Sequence, residues 1–135
     1  MGHIHQKVQI AAEKSATVTM FVDTGATWSM IPSSLARLIG IKPLRRRVTL
    51  RLADGRRVRL SAGTALFQMN GREAPATVLV GKVDEPILGV ETLEGLGLMV
   101  DPRRQRLIAS RPYAGRLGGY FPQQINWLRT TAPGV

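Results

Sequence analysis

Asp23, Thr24, Gly25 and Ala26 stand in a row behind the apolar, β-prone run 18–22. An aspartate delivered by the end of a buried strand into a tight Thr-Gly turn is suited to acid–base work on a bound water. Two carboxylates held a few ångströms apart cannot both ionise cheaply, so they share one proton and titrate as a pair. The ionised member can take a proton from a water held between them, while the protonated member donates to a carbonyl oxygen. Only one such loop occurs in the chain. A second carboxylate must therefore come from another copy of the same chain.

Each neighbour has a physical role in such a loop. Thr24 supplies a hydroxyl and a β-branched anchor that can fix the turn across a dimer axis. Gly25 permits a backbone path and a close approach that a side chain would block. Ala26 leaves the floor of the loop without a hydroxyl. The tetrapeptide arises by chance in a chain of this length on the order of once in a thousand at average residue usage. Taken alone it also reads as an ordinary Asp-Thr-Gly β-turn, so its surroundings decide.

Two further segments bear on the choice. Residues 48–52 and 57–60 alternate apolar with polar at period two around Ala53-Asp54-Gly55-Arg56, a strong hairpin signal. Further on, 77–81 is a second apolar run, and Ile87-Leu88-Gly89 precedes a short helix signal. There Leu93 and Leu96 share a face, and Gly95 and Gly97 are candidate terminators.

An apolar strand, Asp-Thr-Gly-Ala, a hairpin, and an apolar-apolar-Gly segment leading into a helix follow one another in the order seen in retropepsins. The chain resembles that family, the small dimeric aspartic proteases of retroviruses and their cellular and bacterial relatives, over roughly residues 5–110. The resemblance implies an all-β, retropepsin-like half-barrel with a flap hairpin and one or two short helices, active as a homodimer. It implies an aspartic endopeptidase in which Asp23 of each subunit activates the water, with Thr24 and Gly25 fixing the loop. Ala26, Thr27, Leu52, Ala53, Asp54, Gly55, Ile87 and Leu88 would then contact a peptide or protein substrate, with 53–55 as the flap tip. No metal or cofactor is implied. The alternative is a catalytically inactive member of the same fold that serves dimerisation or peptide binding.

The chain departs from the viral pattern in places. Thr27 and Val90 stand where viral enzymes often carry an Asp and an Arg that pair near the dimer interface, so the dimer contact must differ. Trp28 is placed to pack against the flap, to form a subsite wall, or simply to be core. Without a Ser at position 26, one hydrogen bond to the ionised carboxylate is missing, which predicts a pH optimum nearer neutral than in pepsin-like enzymes. Residues 98–101, 102–105 and 106–109 read as strand, turn and strand, a closing hairpin more like bacterial and cellular members than viral ones.

Composition sets the outer bounds. The 135 residues, 44% of them apolar, suffice for one domain with a real core: a protease domain over 1–110 and a C-terminal tail over 111–135. A helix is expected over 33–39, started by Pro32 with Ser33 or Ser34, carrying Leu35, Leu38 and Ile39 on its apolar face, and ended by Gly40. With no cysteine, disulfides, cysteine–zinc sites and thiol catalysis are excluded. His3 and His5 lie at the terminus without a third ligand, so neither a metal site nor a His-based triad is expected. No apolar run is long enough to span a membrane. No signal peptide is visible, which leaves the compartment open between a bacterial cytoplasm and, with an upstream leader, a periplasm.

The net charge of +10 comes mostly from arginine, clustered at 45–47, 56–59 and 103–106. These positions fall at expected turns and strand edges, where charge keeps edges from pairing. They lack interleaved aromatics, so nucleic acid is not an expected partner. The arginines beside the flap could instead favour acidic substrates. The tail holds Tyr113, Tyr120, Phe121 and Trp127, four of the seven aromatics. Disordered linkers are usually aromatic-poor, so part of the tail is expected to pack on the body or on a partner, or to occupy the cleft.

Overall fold

The alternation of buried and exposed side chains along β1 (Ile4–Ala11) and β2 (Ser15–Val22) makes them an antiparallel pair, running from Ile4 opposite Val22 to Ala11 opposite Ser15. A computed structural model describes residues 3–52 and 54–111, and the backbone alone of 124–126. In chain order there follow β3 (Ser29–Pro32), α1 (Ser33–Ile39), β4 (Arg47–Arg51), β5 (Arg57–Met69), β6 (Arg72–Gly81), β7 (Ile87–Leu88), α2 (Val90–Leu96), β8 (Leu98–Asp101), β9 (Arg106–Ala109) and β10 (Gln124–Asn126).

The main sheet runs β1-β2-β7-β3-β6-β5-β4. The long β5 also reaches back to β1, with Gln9 opposite Gln68 and Ala11 opposite Leu66, so the path closes on itself. The five-residue β4 pairs with the first half of β5 alone, from Arg47 opposite Ser61 to Arg51 opposite Arg57. That hairpin stands off the closed part as a flap. The β5–β6 hairpin turns at Asn70 and Gly71, both with positive φ (52° and 74°), as a two-residue turn between right-twisted strands requires. The backbone of β10 lies parallel to β2 at Ser15–Thr17.

Inside the closed sheet sits one large core that includes Val8, Ile10, Val18, Met20, Ile31, Phe67, Val78 and Leu88. Phe67 is fully buried, and its truncation to Ala would cost about 3–5 kcal/mol. A second, smaller cluster gathers Ala26, Met30, Leu60 and Leu79 beneath the flap, with Trp28, Leu50, Val58, Val83 and Ile87 packed against it.

The helix over 33–39 has the expected bounds and is closed by Gly40 at φ 86°. It starts at Ser33, directly behind Pro32. Pro32 is the N-cap and no side chain caps it. Its buried face holds Leu35, Ala36 and Ile39, while Leu38 is half-exposed. In α2 the corresponding difference is at Gly95, which does not terminate the helix. The chain continues to Leu96, fully buried, and stops at Gly97 with φ 70°. The strand–turn–strand at 98–109 is present as β8 and β9, with Leu98 opposite Ala109. Among the described residues, no helix is long and apolar enough to cross a membrane.

Candidate active site

Asp23 emerges where β2 stops. Its backbone N–H donates to Leu88 O at 3.1 Å, so β7, running parallel to β2, fixes the exit direction. Ala26 N–H donates to Asp23 O at 3.1 Å and closes the turn. Gly25 N–H donates to the carboxylate Oδ1 at 2.8 Å. The side chain is therefore held by the backbone of its own loop. A Cβ added at Gly25 would sit 3.2 Å from that oxygen, tight enough to disturb it. Asp23 is half-buried, Thr24, Gly25 and Thr27 are exposed, and Ala26 is buried. Among the described residues, Asp23 is in no ion pair.

The loop is anchored behind by α2 and by a buried polar knot. Val90 and Glu91 N–H groups donate to Ala26 O and Thr27 O at 2.8 and 2.9 Å. Ser29 Oγ lies 2.6 Å from Thr92 Oγ1 and accepts from Gly89 N–H at 3.0 Å. Gly89 must be Gly for steric reasons: a Cβ there would meet the Trp28 carbonyl carbon and oxygen at 2.5 and 2.6 Å. Its φ of −93° is ordinary. Trp28 donates its indole N–H to Glu91 Oε2 at 3.1 Å, and Glu91 Oε1 accepts from Thr77 N–H at 3.2 Å. Half-buried, Trp28 packs against the second cluster alongside the flap residues Leu50 and Val58. This network links positions about sixty residues apart. The pairing of Ser29 and Glu91 with their partners has no signal in the sequence.

Two cavities flank this arrangement. One, of about 370 Å³, contains Asp23 and Thr24 with His3, Phe21, Val100 and Gln105 along its wall. The other, about 480 Å³, is a cleft under the flap lined by Met30, Leu52, Val58, Val83 and Ile87, with Arg and acidic side chains at its mouth. The larger cleft does not reach Asp23; the smaller cavity does. Leu52 and Ile87 line the cleft. Leu88 is a correction. It is fully buried in the main core and lines neither cavity, so it has no surface to offer a ligand. Period two explains the difference, since adjacent strand residues face opposite sides of the sheet.

At the flap turn, Leu52 N–H donates to Arg56 O at 2.7 Å and Gly55 N–H to Leu52 O at 2.9 Å. Gly55 adopts φ 89°, a conformation that suits Gly. Asp54 accepts from Arg56 N–H at 2.9 Å and from Arg56 Nε at 2.7 Å. These two bonds, the backbone one first, hold the Asp54 carboxyl below the usual aspartate value of 3.8. Ala53, the remaining expected tip residue, lies outside the described residues, as do the four tail aromatics. Thr27 and Gly55 line neither cavity. At the terminus, the His3 and His5 rings stack at a tilt on Phe21, and His5 Nε2 lies 3.7 Å from Glu85.

Residues 7–95 match the family model described as "gag-polyprotein putative aspartyl protease". None of the curated proteins matches the chain. Among solved structures, the EIAV protease complexed with the inhibitor HBY-793 aligns with a TM-score of 0.58 at 20% identity, over 71% of this chain and 89% of that one. At that identity the likeness is one of fold: a mainly β, retropepsin-like architecture with a flap hairpin and two short helices.

Proposed function

The chain belongs to the retroviral-type gag-polyprotein aspartyl protease family, and we propose that it is an aspartic endopeptidase assembled as a homodimer, with one Asp23 from each subunit. The observation that carries this reading is the Asp23 carboxylate itself. It is bound by the Gly25 N–H of its own turn, half-buried beside a cavity, and not neutralised by any cation among the described residues. A single carboxylate cannot be both acid and base at once. A two-fold axis beside Asp23 would supply the partner.

In that assembly the ionised Asp23 accepts a proton from a water as its oxygen attacks the scissile carbonyl carbon. The protonated Asp23 of the other subunit donates to the carbonyl oxygen, giving a tetrahedral diol. Its collapse breaks the C–N bond, the nitrogen takes up a proton, and a carboxylic acid and an amine leave. Thr24 and Gly25 hold the loop. Ala26 and Thr27 border the peptide, Leu52 and Ile87 offer apolar subsites in the cleft, and Ala53, Asp54 and Gly55 form the lid, a gating element of the kind that excludes water on closing.

The test incubates wild type and Asp23→Asn with a diverse peptide library across pH, with cleavage read by mass spectrometry and association state by sedimentation. Cleavage by wild type alone, blocked by pepstatin, with both proteins dimeric, is the expected result. Equal cleavage by Asp23→Asn, or cleavage by a strictly monomeric wild type, would overturn the reading. Dimers that bind peptides without cutting them would make the chain a binding module.

A further inference from the structure

Beyond the mouth of the cleft lies a third cavity, about 420 Å³, lined by Arg37, Arg47, Arg59 and Lys82 together with Ser33 and Ser61. No carboxylate lines it. All four cations are exposed, and among the described residues none of them is in an ion pair. They reach it from separate elements: Arg37 from the last turn of α1, Arg47 and Arg59 from the two flap strands, and Lys82 from the residue after β6. Charge placed only to keep a strand edge solvated does not need to converge on one hollow. Like charges gathered without counter-ions repel, and a bound polyanion relieves that repulsion.

Arg59 and Lys82 also line the cleft under the flap, so the two cavities share a wall. A polypeptide leaving the cleft in that direction meets these two side chains and then the pocket behind them. We infer that the pocket is a specificity site for the substrate chain and takes a run of acidic residues adjoining the segment held in the cleft, with Arg37 and Arg47 as contacts outside the cleft itself. This rests on the protease reading above. A volume of about 420 Å³ falls within the usual range of about 300–1,000 Å³ for ligand sites and accommodates acidic side chains. Single-stranded nucleic acid fits less well, because no aromatic side chain lines the pocket to stack a base.

The experiment uses peptides with one cleavable core, extended on either side by four glutamates or four glutamines, and measures kcat/KM for each. In parallel, the anisotropy of a labelled glutamate-tailed peptide reports binding to Asp23→Asn, which needs no activity. Glutamate tails on one side should be preferred roughly tenfold near 0.1 M salt. The preference should fade at 1 M, where the screening length falls to about 3 Å. Arg37→Gln with Arg47→Gln should bring the ratio towards one and weaken the Asp23→Asn complex in step. Arg45→Gln with Arg46→Gln removes the same charge outside the pocket and should keep most of the preference. Equal kcat/KM for the two tails sinks the inference while leaving the protease standing, as does equal loss in the two double variants. Single-stranded DNA bound through Arg37 and Arg47 more tightly than the acidic peptide also overturns it. If nothing is cut, yet Asp23→Asn binds the acidic tail through Arg37 and Arg47, the pocket stands and the protease reading falls.

Discussion

The indole N–H of Trp28 donates to Glu91 Oε2 at 3.1 Å, across sixty-three positions of sequence. The other oxygen of the same carboxylate accepts from Thr77 N–H at 3.2 Å. One side chain in the first turn of α2 thus ties the loop after Asp23 to β6, and its charge also suits the helix N-terminus. Hydrogen bonds to charged groups contribute about 1.5–3 kcal/mol when shielded from water. Glu91→Ala should therefore lower the unfolding free energy by about that amount in urea titrations. Glu91→Gln, which keeps one acceptor oxygen, should cost less. Equal stability of all three proteins would show that the link contributes nothing.

The buried knot behind the site makes a sharper case. Ser29 and Thr92 are both fully buried, and Ser29 Oγ serves Thr92 and the Gly89 N–H at once. Ser29→Ala leaves two polar groups without a partner, at about 1–3 kcal/mol for a buried unsatisfied group. Thr92→Val removes the other hydroxyl. A double-mutant cycle should then show coupling of about 0.5 kcal/mol or more between them. Gly89→Ala should lie at the upper end of the about 1–3 kcal/mol expected of overpacking, since the added methyl meets Trp28 backbone rather than a side chain that can swing away.

At the flap tip the measurable variable is pH. The Asp54 carboxyl titrates below the usual aspartate value of 3.8, first because Arg56 N–H donates to it and then because the Arg56 side chain does. A value lowered in the folded turn means that the ordering it gives is complete above the free-aspartate value and is lost as pH falls through the folded one. The tip should therefore stay ordered at pH 5 and loosen only under strongly acid conditions. Asp54→Asn keeps an acceptor for the backbone N–H but loses the charge. It should show a few-fold lower kcat/KM than wild type at pH 5, with the two profiles converging below the usual aspartate range. Equal kcat/KM of Asp54→Asn and wild type at pH 5 would show that the Asp54 charge does not order the flap.

Elements specified by local pattern were legible in the sequence. The helix over 33–39 carries its own Pro start and Gly stop, and the β8–β9 hairpin carries its own turn. The β5–β6 turn was equally open to reading in Asn70-Gly71. Gly95 misleads as a helix stop because the left-handed conformation that ends α2 falls two residues later, at Gly97 with φ 70°. Leu88 misleads because Ile87 and Leu88 look alike in composition, and only the strand register sends one to the cleft side and the other to the core. The motif Asp23-Thr24-Gly25 is local and could be read directly. The Glu91 link, the Ser29 knot and the convergence of Arg37 with Arg47, Arg59 and Lys82 depend on contacts between distant segments, which no window of sequence contains.

The C-terminal end of α2 offers a test within a single residue of chain length. No basic residue lies in its last turn, yet its carbonyls are met from elsewhere. Arg72 Nη1 donates to Leu96 O at 3.0 Å and to Gly97 O at 3.1 Å, while Arg111 Nη2 donates to Glu94 O at 3.0 Å and to Gly95 O at 3.3 Å. Arg72 Nη1 also donates to the backbone Arg111 O at 3.1 Å, which ties the chain at Arg111 to the same helix end. Cations are favoured at that end of a helix. Half-buried Arg72 should cost about 1.5–3 kcal/mol on replacement by Ala. Arg111 is exposed, and its contribution is nearer about 1 kcal/mol. A chain ended at Arg111 should accordingly unfold at a higher urea concentration than one ended at Ser110, although the two differ by one residue. Both should be less stable than the full chain, because β10 pairs with β2 along Ser15–Thr17. If ending the chain at Arg111 raises cleavage while lowering stability, the tail restrains the active site as well as bracing the sheet. If both fall together, its role is structural.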